Sequence, residues 1–257
     1  MEITKSSNPV FANNIFSQPV AGTSDEVMTI NGTINKTGIM FLIVLFAATF
    51  TWRKFFGAID PAFPGAIPSG VTGWMIGGAI GGFITALITV FSPRRAAITA
   101  PIYAVFEGLF LGAVSAMFEA MYPGLVMRAV SLTFGVFAVM LMLYRSGTIR
   151  ATERFRTIVF AATGGIALVY LGSFIAGMFG VNVGFLHGNS LLSIGVSLVI
   201  VVVAALNLIL DFDMITRGAD ARAPKFMEWY GAFGLMVTLI WLYLELLRLL
   251  SKLSSRD

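Results

Sequence analysis

The sequence predicts an all-α integral membrane protein, a bundle of seven transmembrane helices, and three observations carry that prediction. Hydrophobic side chains make up 57% of the 257 residues and charged ones only 12%, with a mean hydropathy of +0.87. Soluble domains run nearer half apolar and about a quarter charged. The apolar residues recur along nearly the whole chain, and at roughly 20 residues per crossing that length holds about seven spans. The runs lack strand-like alternation and exceed the roughly ten residues of a barrel strand, so they read as helices.

Residues 1–37 form a polar, turn-rich tail with Asn8-Pro9 and Ser17-Gln18-Pro19. It has no basic start leading into an apolar run and a small-residue cleavage site, so no signal peptide is expected. The seven-helix domain then occupies 38–250, in apolar runs at 38–52, 66–91, 97–121, 124–144, 157–180, 191–214 and 226–250. The first run is short unless Thr33–Thr37 joins it, and the last starts amphipathically with Lys225 and Glu228. Residues 251–257 read as a short C-terminal tail. The second span stacks Gly73, Gly77, Gly78, Gly81 and Gly82, and the third carries Gly108, Gly112 and Ser115. Lipid gives helices no hydrophobic reason to associate, so small residues that let backbones approach are read as packing faces.

Charge sets the orientation. Eleven Lys and Arg fall on the tail and the even-numbered loops, densest at Arg145, Arg150, Arg154 and Arg156, against six on the opposite side. The positive-inside rule places the N-terminus in the cytoplasm and the C-terminus outside. The net charge of +4 is dispersed in short loops, which points to a lipid bilayer partner and not to nucleic acid. With no cysteine and one histidine, His187, neither a thiolate nor a multi-histidine metal site can form.

Carboxylates within the spans are costly and each needs an explanation. Glu107 lies about ten residues into the third span, roughly 15 Å along the helix and near the bilayer midplane. It is either neutral and hydrogen-bonded to a neighbouring helix, or it meets water and a cation. Asp211 and Asp213 close the sixth span about 200° apart on the helix, so they cannot share one ion. Asp213 has Arg217 four residues on, the spacing of a helical ion pair. At Asp211 those positions are Met214 and Ile215, which makes it the stronger functional candidate. Glu245 has Arg248 at i+3, a local pair, and Glu228 and Glu119 read as solvated boundary acids. Trp229, Tyr230, Trp241 and Tyr243 are candidate interfacial anchors, though Trp241 and Tyr243 lie too deep for all four to serve. Carboxyl oxygens suit a hard cation such as Ca2+, for which Asp211 and Glu107 are the candidate ligands, or a proton relay.

Several stretches carry a family resemblance. They are Asn8-Pro9-Val10-Phe11, Met28-Thr29-Ile30 through Asn35-Lys36-Thr37-Gly38, and Tyr103 through Gly112 around Glu107-Gly108. Asn207-Leu208-Ile209-Leu210-Asp211-Phe212-Asp213, Glu228-Trp229-Tyr230, and Leu244-Glu245-Leu246-Leu247-Arg248 complete the set. In this order the chain resembles the Bax inhibitor-1, or transmembrane Bax inhibitor motif, family, in its bacterial branch with a long N-terminal tail. The resemblance implies a seven-helix bundle with the last helix central. It also implies a pH-sensitive Ca2+ leak governed by an aspartate pair on the sixth and seventh spans. Asp211 falls on the first of that pair. Ten residues before Arg248, where the second belongs, stands Thr238, so a direct carboxyl–carboxyl latch cannot form there. Any pH response should be weakened, shifted or rebuilt around Glu107 or Asp213; Glu245, about 700° further along, shares the face of Thr238 but sits roughly 10 Å away.

The leading expectation is therefore a cation leak channel or its regulator in a bacterial plasma membrane, with no cofactor and no enzymatic activity. A membrane scaffold that binds another membrane protein, such as a protease complex, is the alternative. An intramembrane serine protease built on Ser115 and His187 is weaker, and a secondary transporter coupled by a buried acid remains open. A retinal protein is excluded because no lysine lies between Phe226 and Leu250.

Overall fold

The computed structural model describes residues 27–255 apart from 61, 64, 181–187 and 189, and there the chain is helical almost throughout. In chain order the helices are α1 (Ile30–Phe56), α2 (Ser69–Phe91), α3 (Ala96–Met121) and α4 (Leu125–Arg145). They continue with α5 (Glu153–Met178), α6 (Leu191–Asp220) and α7 (Met227–Ser254). All seven are long and apolar enough to cross a membrane. The protein is an integral membrane protein of seven spans. Asn8–Phe11, most of the N-terminal tail and His187 lie outside the described residues.

The ends of the helices follow local chemistry. Thr29 caps α1, its side chain accepting from the Gly32 N–H at 2.9 Å, so the helix starts ahead of the apolar run at 38. Pro68 precedes α2, and Pro93 opens the single 3-10 turn (Pro93–Arg95) that feeds α3. Gly124 takes φ 81° to turn the chain from α3 into α4, a conformation that costs glycine little. Thr152 caps α5 by accepting from Phe155 N, with Glu153 in the first turn. The final helix continues through Ser254, past the end of its apolar run, which brings Lys252 into the helix instead of a tail.

The chain divides into two compact units. The first comprises residues up to Pro123 with Met214–Val237. In it, α3 packs against both α1 and α2 through glycine. A Cβ on Gly108 would lie 2.5 Å from the Val44 carbonyl, and one on Gly112 would overlap Ala48 and Thr51. From α2, a Cβ on Gly78 would lie 2.7 Å from the Phe106 carbonyl. Gly73 and Gly77 meet nothing within 4 Å, so only part of the glycine-rich face is a packing face. Thr89 donates to Thr99 at 2.7 Å, an interhelical bond of the kind that helps hold spans together in lipid. Phe55, Val71, Ala113 and Ala116 form a buried cluster beneath Trp52 and Met75.

The second unit comprises Gly124–Asp213 and Thr238–Asp257. Phe137 and Tyr144 of α4 pack on Phe212 of α6, with ring centroids 5.6 and 5.8 Å apart. Asn207 of α6 donates to Thr163 of α5 at 2.9 Å. Burial is uneven: α6 and α7 carry many buried residues, whereas in α5 only Arg156 and Val159 are buried.

Candidate functional site: buried charges on the last two helices and α3

The acids within the spans fall into separate environments. Asp211 is 1% exposed on α6, deep among Leu208, Ile209 and Leu210. Thr238, on α7 in the same unit, is also buried, and its hydroxyl stands where the resemblance implied an acid. Asp213, two residues on, points to a different face and meets Arg156 of α5 at 2.6 Å. Arg156 also holds Glu153 at 2.9 Å, so one buried guanidinium joins two helices. The local spacing that suggested Arg217 gave no hint of this partner.

Glu245 is buried and makes the expected pair with Arg248, at 3.1 Å. Tyr170 of α5, a partner not legible from spacing, donates its hydroxyl to the same carboxylate at 2.8 Å while accepting from Arg248. The guanidinium also lies 5.2 Å from the Tyr170 ring. Glu245, Arg248 and Tyr170 thus close a triangle that fixes α5 to α7. One turn further on, Lys252 is buried and donates to Ser193 Oγ and Ser197 Oγ of α6, both at 2.8 Å. A buried lysine therefore stands on α7, past the Phe226–Leu250 stretch that contains none. Its ammonium is held by serine oxygens in the last turns of the helix, not in a mid-span pocket.

Glu228 is not a solvated boundary acid: it is fully buried. Its carboxylate accepts from the Thr29 N–H at 2.9 Å and the Thr29 hydroxyl at 2.8 Å, and pairs with Lys36 and, at 3.2 Å, with Lys225. Gly32 makes the room, since any Cβ there would collide with the carboxylate. The adjoining Met28 N–H donates to Ala223 O at 2.7 Å, which ties the entry of α1 to the α6–α7 turn. Tyr230 is likewise buried at 1% exposure, in the core and not at an interface, whereas Trp229 lies 5.7 Å beneath the Lys36 ammonium.

Glu107 differs from all of these. It is half-buried in the middle of α3, with one carboxyl oxygen over Gly82 of α2, where a Cβ would come within 2.8 Å. Among the described residues no hydrogen-bond donor or cation engages its carboxyl. No group of three or more His, Asp or Glu among the described residues could hold a resident metal ion.

These features define a polytopic helical membrane protein that buries ionisable groups along its last two helices and holds the Glu107 carboxyl in the middle of α3. The chain belongs to the Bax inhibitor 1 like family, whose model matches residues 8–255. No curated protein and no solved structure matches it.

Proposed function

We propose that the protein is a pH-sensitive cation leak channel of a bacterial plasma membrane, with Ca2+ as permeant ion, or a regulator of membrane Ca2+ permeability. It would act without a cofactor and without catalysis, its N-terminus in the cytoplasm. The observation that carries this reading is Glu107. A carboxyl half-buried in mid-helix, with no donor from the described residues, either carries a proton or is satisfied by water and a cation, and the second state is the one that supports a wet route through the membrane. Asp211, buried in α6 of the second unit, is a further candidate for ion contact on its own. Asp213 and Glu245, each held by an arginine, are fixed charges within the second unit. Protonation of a path carboxyl removes the charge that attracts the ion, so flux should fall as pH falls.

The test is Ca2+ entry into proteoliposomes from about pH 6 to about pH 8, with Glu107→Gln, Asp211→Asn and Thr238→Asp beside wild type. Flux that falls with acid and is flattened in the two neutralised variants supports the path. A steeper response in Thr238→Asp would place the absent acid of the gate. A folded sample that never exceeds empty liposomes sinks the reading, and capture of a membrane-protein partner from native membranes then tests the scaffold alternative.

A further inference from the structure

A lysine near the end of a membrane helix normally extends its stem and sends the ammonium to water. Lys252 does the opposite: it is 5% exposed and turns inward onto α6. The ammonium donates there to Ser193 Oγ and Ser197 Oγ at 2.8 Å and to the Ser193 carbonyl at 3.3 Å. The two serines are one helical turn apart, so both hydroxyls and the carbonyl sit on one stripe of α6. A helix carbonyl has a second lone pair free for such a bond after its helical one. Glu245 and Arg248 lie on the same face of α7 as Lys252, and they are engaged with each other and with Tyr170.

An arrangement of hydroxyl and carbonyl oxygens around a compact charge is a cation site, with the cation here tethered to the chain. The oxygen distances exceed the roughly 2.3–2.6 Å of Ca2+ coordination, and backbone carbonyls replacing a hydration shell are how K+ is held in channel filters. We propose that Lys252 is a tethered cation filling an oxygen-lined site for a K+-sized ion on α6, and that it acts there as a plug against cation passage. The plug rests on the leak reading; the cation site does not.

Two measurements on the full-length purified protein test this. The first compares thermal unfolding in KCl with unfolding in an equal concentration of N-methylglucamine chloride. Lys252→Met, and Lys252→Gln as a variant that keeps a hydrogen-bond donor, should be stabilised by K+ while wild type is not. Adding Ser197→Ala should remove that response. No K+ response in either variant overturns the proposal whatever the fluxes are. The second is K+ entry into proteoliposomes, which should rise about tenfold or more in Lys252→Met and stay at the wild-type level in Lys252→Arg. K+ stabilisation with flux unchanged from a conducting wild type overturns the plug. A wild type closed to Ca2+ with a Lys252→Met that passes K+ supports the plug and counts against the Ca2+ reading alone.

Discussion

Glu228 shows how one carboxylate organises its surroundings. It receives two bonds from Thr29 and two lysine ammoniums, at the first turn of α7 where the helix N-terminus also favours negative charge. Charge-assisted bonds of this kind are worth about 1.5–3 kcal/mol each when a partner is removed. Glu228→Ala should cost about 2 kcal/mol or more, read as a lowered thermal midpoint in detergent. Gly32→Ala should cost a similar amount, since its methyl would displace the carboxylate. The double variant should cost clearly less than the two singles together, because both break the same contact. Additive losses would mean that Gly32 and Glu228 stabilise the protein independently. The same reasoning applies to Arg156 and Asp213 at 2.6 Å: Arg156→Met with Asp213→Asn should show a coupling of about 1–3 kcal/mol in a double-mutant cycle.

At the scale of the helices, the glycines divide into those that packing needs and those it does not. Gly112→Ala should destabilise by about 1–3 kcal/mol, because the methyl would meet backbone of α1. Gly73→Ala, into open space, should gain about 0.5–1 kcal/mol from the lower helix entropy cost. Equal effects at the two positions would contradict the α1–α3 contact. The sequence distinguished neither, since a glycine repeat marks a face without saying which neighbour it meets. The seven spans were legible because an apolar run of membrane length has few alternatives. Their ends were less so. The first turns of α1 hold Asn31, Thr33, Asn35 and Lys36, and there Lys36 and the Thr29 cap are held by a carboxylate almost two hundred positions away. Lys252, just past an apolar run, reads as a boundary charge. The periodic signal that could have revealed it was Glu245, Arg248 and Lys252 on one face of α7, with Ser193 and Ser197 a turn apart on α6.

For the whole molecule, the absence of native cysteine makes orientation directly measurable. Single cysteines at Asp60, between α1 and α2, and Ser146, between α4 and α5, should react oppositely to a membrane-impermeant maleimide on intact cells. Labelling of Asp60→Cys alone puts the arginine-rich α4–α5 loop inside; labelling of Ser146→Cys alone inverts the topology. Of the candidate residues, Glu107 and Asp211 could be singled out from sequence because an acid in an apolar span needs an explanation. Tyr170, Arg156 and Thr29 were not, since each is ordinary in its own helix and acquires meaning only from a partner distant in sequence. That distance also imposes a schedule on biogenesis. Lys36 and Glu228 are separated by 192 positions. At about 5–20 residues per second of synthesis, α1 waits roughly 10–40 s before its partner emerges. The first span therefore enters the membrane before Glu228 has been made, and that end of the protein closes only once α7 has emerged.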